Sequence, residues 1–160
     1  MAVDMFFKLD AIKGEALDKT HKDEINVLAW SWGASQTGST HISAGGGAGK
    51  ASFQDISFTK YIDSASPILL QNVANGKHIK EATLTVRKAG EHPLEYLKIK
   101  LSDILVSSYS TGGSGGEDNL TENITLNFAK VDVTYTPQKA DGTGGVGIVM
   151  SWNIAANAAS

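Results

Sequence analysis

A chain of 160 residues with 41% hydrophobic and 19% charged side chains can offset the entropy of folding, which excludes intrinsic disorder, and has length for one complete core rather than two. A formal net charge of -3 with scattered Lys and Arg gives no basic field for phosphates, so nucleic acid is not an expected partner. There is no cysteine, so the fold rests on no disulfide, and no apolar run reaches the roughly 18 residues a membrane helix needs, so membrane insertion is not expected.

In chain order, the first residues, Met1 to Lys8, lack a basic region followed by an apolar stretch, so any export is expected to proceed without a cleaved signal peptide. Met5, Phe7 and Leu9 alternate with Phe6, Lys8 and Asp10, the period-two pattern of a strand. Leu28, Trp30 and Trp32 alternate in the same way with Ala29, Ser31 and Gly33. The stretch from Gln36 to Lys50 has glycines and few apolar anchors and reads as a loop. Ile56 and Phe58 resume the strand pattern. The one convincing helix follows, with Ser66 as its cap, Pro67 in the first turn, Leu69, Leu70 and Val73 as its apolar face, and Asn75-Gly76 ending it.

Ala82, Leu84 and Val86 alternate with Thr83, Thr85 and Arg87. In two longer segments the apolar parity switches midway. Leu97, Ile99 and Leu101 give way to Ile104 and Val106, and Ile124, Leu126 and Phe128 give way to Val131, Val133 and Tyr135. A strand cannot change face without an extra residue or a bend, so bulges are expected near Ser102-Asp103 and Ala129-Lys130, turning corners of the kind that close barrels and packed sheets. Ile148, Met150, Trp152 and Ile154 form a last strand pattern, and Gly112 to Gly116 and Gly142 to Gly147 read as loops. No repeat or linker divides the chain, so a single domain over 1–160 is expected.

Motifs that carry chemistry fail on inspection. Ala44 to Ala51 resembles a phosphate loop, but its first glycine is replaced by Ala44, its magnesium-binding Ser or Thr by Ala51, and a strand pattern follows. Gly142-Thr143-Gly144-Gly145-Val146-Gly147 has the dinucleotide spacing, yet neither a helix nor an acidic residue comes after it. Gly112-Gly113-Ser114-Gly115-Gly116 matches a nucleophile elbow, but no histidine follows Ser114. His21, His41, His78 and His92 show no metal-site spacing and read as surface residues. Asp23-Glu24 and Glu117-Asp118 are neighbours that extended chain points to opposite faces, so they read as solvated or as bridges to another subunit. Asn119-Leu120-Thr121 and Asn123-Ile124-Thr125 fit the glycosylation pattern without a signal for the secretory pathway. Trp30, Trp32 and Trp152 suit core packing better than a ligand platform. No catalytic residue, cofactor or metal is therefore expected.

What remains is a set of phrases: Met1 to Phe6, Asp18-Lys19-Thr20-His21, Val27 to Gly33, Gly45 to Lys50, Ser57 to Asp63, Gly76-Lys77-His78 and Arg87 to Gly90. Leu105 to Ser108, Ser110 to Asp118, Leu120 to Asn123, Leu126 to Ala129, Pro137 to Gly142 and Trp152-Asn153-Ile154 follow in order. Over nearly the whole chain this resembles the haemolysin-coregulated protein (Hcp) family of bacterial type VI secretion. The resemblance implies a mainly β fold, a compact antiparallel β-barrel or packed sheets with one flanking α-helix.

It further implies a homo-hexameric ring, rings stacked into a tube, sheath and spike proteins as partners, and small effector proteins carried in the lumen. The subunit would sit in the bacterial cytoplasm before assembly and then reach the extracellular space or a target cell. A stand-alone ring-shaped carrier for small effectors is the alternative, and an enzyme is not expected. Within that picture the loop carrying Ser39, Thr40, His41, Ile42, Gly45, Gly46, Gly47, Gly49 and Lys50 suits an arm ordered on a neighbouring ring, or an ordinary surface loop. Ser31 and Gly33, opposite the tryptophans, suit a lumen-lining face or the solvent-exposed outside.

Overall fold

The computed structural model describes residues 2–38 and 49–160. Among the described residues eleven strands and one helix follow one another: β1 (Val3–Leu9), β2 (Ile25–Asn26), β3 (Ala29–Ser31), β4 (Ala34–Ser35), β5 (Ser52–Phe53), β6 (Ile56–Tyr61), α1 (Ser66–Asn75), β7 (His78–Lys88), β8 (Leu94–Thr111), β9 (Thr121–Tyr135), β10 (Ile148–Asn153) and β11 (Ala158–Ala159). The fold is mainly β and antiparallel. One sheet runs in the order β11-β10-β9-β8-β7-β1-β2, with β6 joining β9 and β3 joining β6, while β4 and β5 form a separate pair.

Among the described residues strand pairing leaves the ends of this path, β11 and β2, apart, so the paired strands form no closed barrel. Segment 25–31 spans the gap. Its first two residues pair with β1, Val27 N–H donates to Met5 O at 3.0 Å, Leu28 N–H donates to Thr59 O at 2.8 Å, and its last three residues pair with β6. Phe7, Ile25, Ile56, Leu84, Leu101, Ile124 and Leu126 fill the space enclosed, each with no exposed surface. Apolar burial on this scale is the main driving force for folding.

The corners lie where the parity switches predict, but no bulge makes them. The partners Ser102–Lys130 and Ile104–Phe128 keep one register across the corner, and the shifts of register fall instead at Val86/Arg87 and Val106/Ser108. The buried residues change phase in three adjacent strands: Ile79 to Ala82, Leu101 to Ile104, and Phe128 to Val131. When neighbouring strands bend together, the pleat turns without an extra residue in any of them. Asp103 absorbs the bend at φ 54, a left-handed conformation that Asp tolerates better than most residues.

Helix α1 differs from its expected cap. Its N-cap is Ala65, without a side-chain cap bond, and Ser66 lies inside the helix with its hydroxyl turned to the core. Leu69 and Asn72 are buried and Val73 is half-buried, whereas Leu70 is exposed. Gly76 ends the helix at φ 66, its N–H donating to Asn72 O at 3.0 Å.

Between β1 and β2 the chain 10–24 folds back as a strap. Gly14 N–H donates to Asp23 O at 2.8 Å, and a Cβ on Gly14 would stand 2.5 Å from the carbonyl oxygen of Glu24. The obstacle is backbone and cannot swing aside. Gly14→Ala is therefore expected to cost about 1–3 kcal/mol through overpacking, read as a lower urea midpoint at unchanged slope.

Candidate functional site

Alternation along β6 puts Ile56, Phe58 and Lys60 inward and leaves Ser57 and Thr59 on the outer face. Register then carries that outer face across four strands. Ser31 lies opposite Ser57, Ser57 opposite Thr125, and Thr125 opposite Ser108. The next row is Ala29, Thr59, Asn123 and Ser110. These eight residues are small and uncharged. Thr59 Oγ1 donates to Asn123 Oδ1 at 2.6 Å, and a shallow depression of ≈ 130 Å³ lies among Ala29, Trp30, Ser31, Ser57 and Thr59.

Ser31 is thus exposed on the β3 edge of a polar face formed by these eight uncharged residues. Gly33 lies beyond the end of β3, half-buried, its carbonyl accepting from Gln54 N–H at 2.9 Å. Trp30 and Trp32 are half-buried against the core, and Trp32 packs beside Phe53 and Phe128 with ring centroids at 6.1 and 6.0 Å. Its indole N–H donates to Gln54 O at 2.9 Å, satisfying the polar end of the ring. Of the expected stacking arm, Gly49 and Lys50 are exposed, whereas Ser39, Thr40, His41, Ile42, Gly45, Gly46 and Gly47 lie outside the described residues.

Two ionic clusters were not expected from the sequence. In the first, Lys60 and Glu122, both without exposed surface, form a buried ion pair. Lys60 Nζ also donates to Asp63 Oδ1 at 2.8 Å and to Tyr61 O at 2.9 Å, and Ser66 Oγ donates to Glu122 Oε1 at 2.6 Å. The Tyr109 hydroxyl donates to the other Glu122 oxygen. The cluster ties the start of α1 to β6, β8 and β9.

The second cluster clamps the strap, and it corrects the reading of His21 as a surface residue. His21 is 7% exposed and stacks on Phe6 with centroids 4.5 Å apart. Its Nδ1 meets Glu24 Oε2 at 2.8 Å and its Nε2 meets Glu95 Oε1 at 2.6 Å, so Glu24 is engaged within the chain. Beside it, Arg87 donates to Asp18 Oδ2 at 2.6 Å and to Asp4 Oδ2 at 3.1 Å. The hydrogen bond from Arg87 holds the Asp18 carboxyl well below the usual carboxylate range, and the same bond raises the guanidinium. At Glu95 burial raises the pKa, but hydrogen bonds from Lys98 and His21 prevail and lower it.

A carboxyl depressed in the folded chain stabilises it above the unfolded value and loses that contribution as pH falls through the folded value. The protein is therefore expected to lose stability on acidification below about pH 4. Asp18→Asn should lower the urea midpoint at neutral pH and flatten its acid decline. A midpoint series against pH for both chains checks this.

Among the described residues no group of three or more His, Cys, Asp or Glu is placed to hold a metal ion. No helix among them is long and apolar enough to cross a membrane. The molecule is an antiparallel β protein with one helix among the described residues. A match to the family described as "Type VI secretion system effector, Hcp" spans residues 6–135.

Protein hcp1 of Pseudomonas aeruginosa is 62% identical over 159 residues, covering 98% of each chain. A structure titled as a type six secretion system protein superposes with a TM-score of 0.94 at 30% identity, covering 99% of this chain and 100% of that one. Hcp1 from Salmonella typhimurium gives 0.80 at 37% identity over 100% of both chains. The chain belongs to the Hcp family of type VI secretion.

Proposed function

We propose that this chain is the structural subunit of a type VI secretion tube, assembling as a hexameric ring whose rings stack and are expelled, and that it acts without catalysis. Membership of the family over nearly the whole chain carries the reading. The small uncharged face around Ser31 supports a lumen lining, since a surface without charge or large apolar groups lets a protein cargo pass without binding it tightly. In this reading Ser31 faces the lumen, with Gly33 at its margin. The arm from Ser39 to Lys50 mediates stacking, and sheath and spike proteins meet the outside of the tube.

That face favours a second role, carriage of small effectors. Light scattering of the purified chain tests the ring. A mass of about 100 kDa, with a central hole in negative stain, is expected. A monomer persisting at high concentration overturns it. Deleting Gly45 to Gly47 should abolish stacking and leave rings intact, and survival of the stacks overturns the arm's role.

A further inference from the structure

We propose that the free edge of β10 on one copy docks against the β6 end of the next copy, around Ile62 and Leu120, and that this contact closes the ring. The inference rests on the ring reading and names the two surfaces that make it. It starts from an anomaly in the last strand. Ile148, Val149 and Met150 are 67%, 62% and 41% exposed. Successive residues of a strand point to opposite faces, so neither face of β10 is covered there. Among the described residues its outer edge is also unpaired at 148–151, because β11 pairs only with Trp152 and Asn153. Tyr135, opposite Ile148, and Val146 extend the patch at 47% and 86% exposure.

An apolar strand bare on both faces and along its edge is a template for another chain. The partner surface is present on the same molecule. Tyr61 and Ile62, 46% and 45% exposed, sit beside Leu120 at 40%, with Ile62 N–H donating to Leu120 O at 3.0 Å. Tyr61 pairs with Thr121, the first residue of β9, whereas Ile148 pairs with Tyr135, the last. The two apolar patches therefore occupy opposite ends of a 15-residue strand, roughly 45 Å of extended chain shortened by the corner at Ala129. Two unlike patches at opposite ends make a head-to-tail contact, the kind that closes a ring, rather than a symmetric dimer.

The rims differ in charge: two lysines flank the β10 patch, and the Leu120 patch is flanked by acids alone. Lys139 stands in the loop leading into β10, near Lys88, whose Nζ donates to Gln138 Oε1 at 2.9 Å, and the acids at this end are Asp141 in the same loop and Glu91 in the turn after Lys88. Glu117 and Asp118 stand in the loop leading to Leu120, where Gly112 to Leu120 carries no base. Among the described residues none of Lys88, Lys139, Glu117 and Asp118 forms an ion pair within the chain.

The absence of cysteine allows a direct test. Ile148→Cys or Val149→Cys is combined with Ile62→Cys or Leu120→Cys in one chain, in all pairings, and the rings are oxidised mildly and run without reductant. At least one pairing is expected to give a covalent ladder reaching six chains. A mixture of the matching single variants should give dimers alone, and each single variant by itself should stay monomeric on the gel. Rings that form normally while no pairing cross-links overturn the inference and leave the ring reading standing, as does self-linking of Val149→Cys. A wild-type chain that is monomeric in light scattering overturns both. Val149→Glu, on an already solvated strand, is expected to keep the monomer's circular dichroism and lose the ring at concentrations where the wild type is fully assembled. An unchanged ring would again overturn the contact.

Discussion

Replacing Lys60 by alanine is expected to cost about 3–5 kcal/mol, because it leaves Glu122 as an uncompensated charge with no exposed surface. Against a total stability of about 5–15 kcal/mol for an ordinary domain, this brings the chain close to unfolding. The double replacement Lys60→Met with Glu122→Leu should recover much of the loss, since two apolar groups of similar volume remove both desolvation costs. Recovery should be incomplete, because Tyr109 and Ser66 both donate to Glu122 and would lose their acceptor. Urea midpoints of the two variants and the wild type decide it. A Lys60→Ala chain as stable as the wild type would show that the pair contributes nothing.

The same cluster has an alkaline signature. Burial first, and then the hydrogen bond to Glu122, push the Tyr109 phenol up to about 12. A group whose folded pKa is raised contributes stability that is complete below its unfolded value and disappears as pH rises through the folded one. The wild type should therefore weaken between about pH 10 and about pH 12 by a component that Tyr109→Phe lacks.

Lys60 and Glu122 were legible in principle. Lys60 continues the inward set Ile56 and Phe58, and Glu122 continues Ile124, Leu126 and Phe128, so each strand carries one charge of opposite sign on its apolar parity. Period two also located β1, β6, β7 and the two parity switches. It could not tell a bulge from a joint bend, since that depends on whether neighbouring strands change phase together. The strap 10–24 left no periodic trace, because its hold comes from single polar contacts: His21 between two carboxylates and Arg87 on Asp18. Phe6 followed the same logic, looking outward by alternation yet 5% exposed beneath His21 and Arg87. In the last strand pattern Trp152 and Ile154 pack against the core, but Ile148 and Met150 mark a surface, and alternation alone cannot say whether the covering layer belongs to the same chain. Ser31 emerged as one member of an eight-residue polar face, which only strand register could assemble.

Phe58→Ala is expected to cost about 3–5 kcal/mol, the range for removing a buried aromatic ring and leaving a cavity. Phe58 is 1% exposed, its centroid lies 4.8 Å from that of Phe7, and its strand neighbours in register are Trp30 and Ile124. The cavity would open where β3, β6 and β9 meet, so little backbone is free to collapse into it. One residue earlier the expectation reverses. Ser57 lies on the outer face, and Ser57→Gln should change stability by no more than about 0.5 kcal/mol while placing a bulky group beside Ser31. Measured together by urea unfolding of the isolated subunit, the two variants separate what holds the sheet from what the sheet presents. If Ser57→Gln were as costly as Phe58→Ala, that face would be packed within the subunit and unable to line a channel. If it is neutral, any loss of cargo from Ser57→Gln rings must arise at the surface itself.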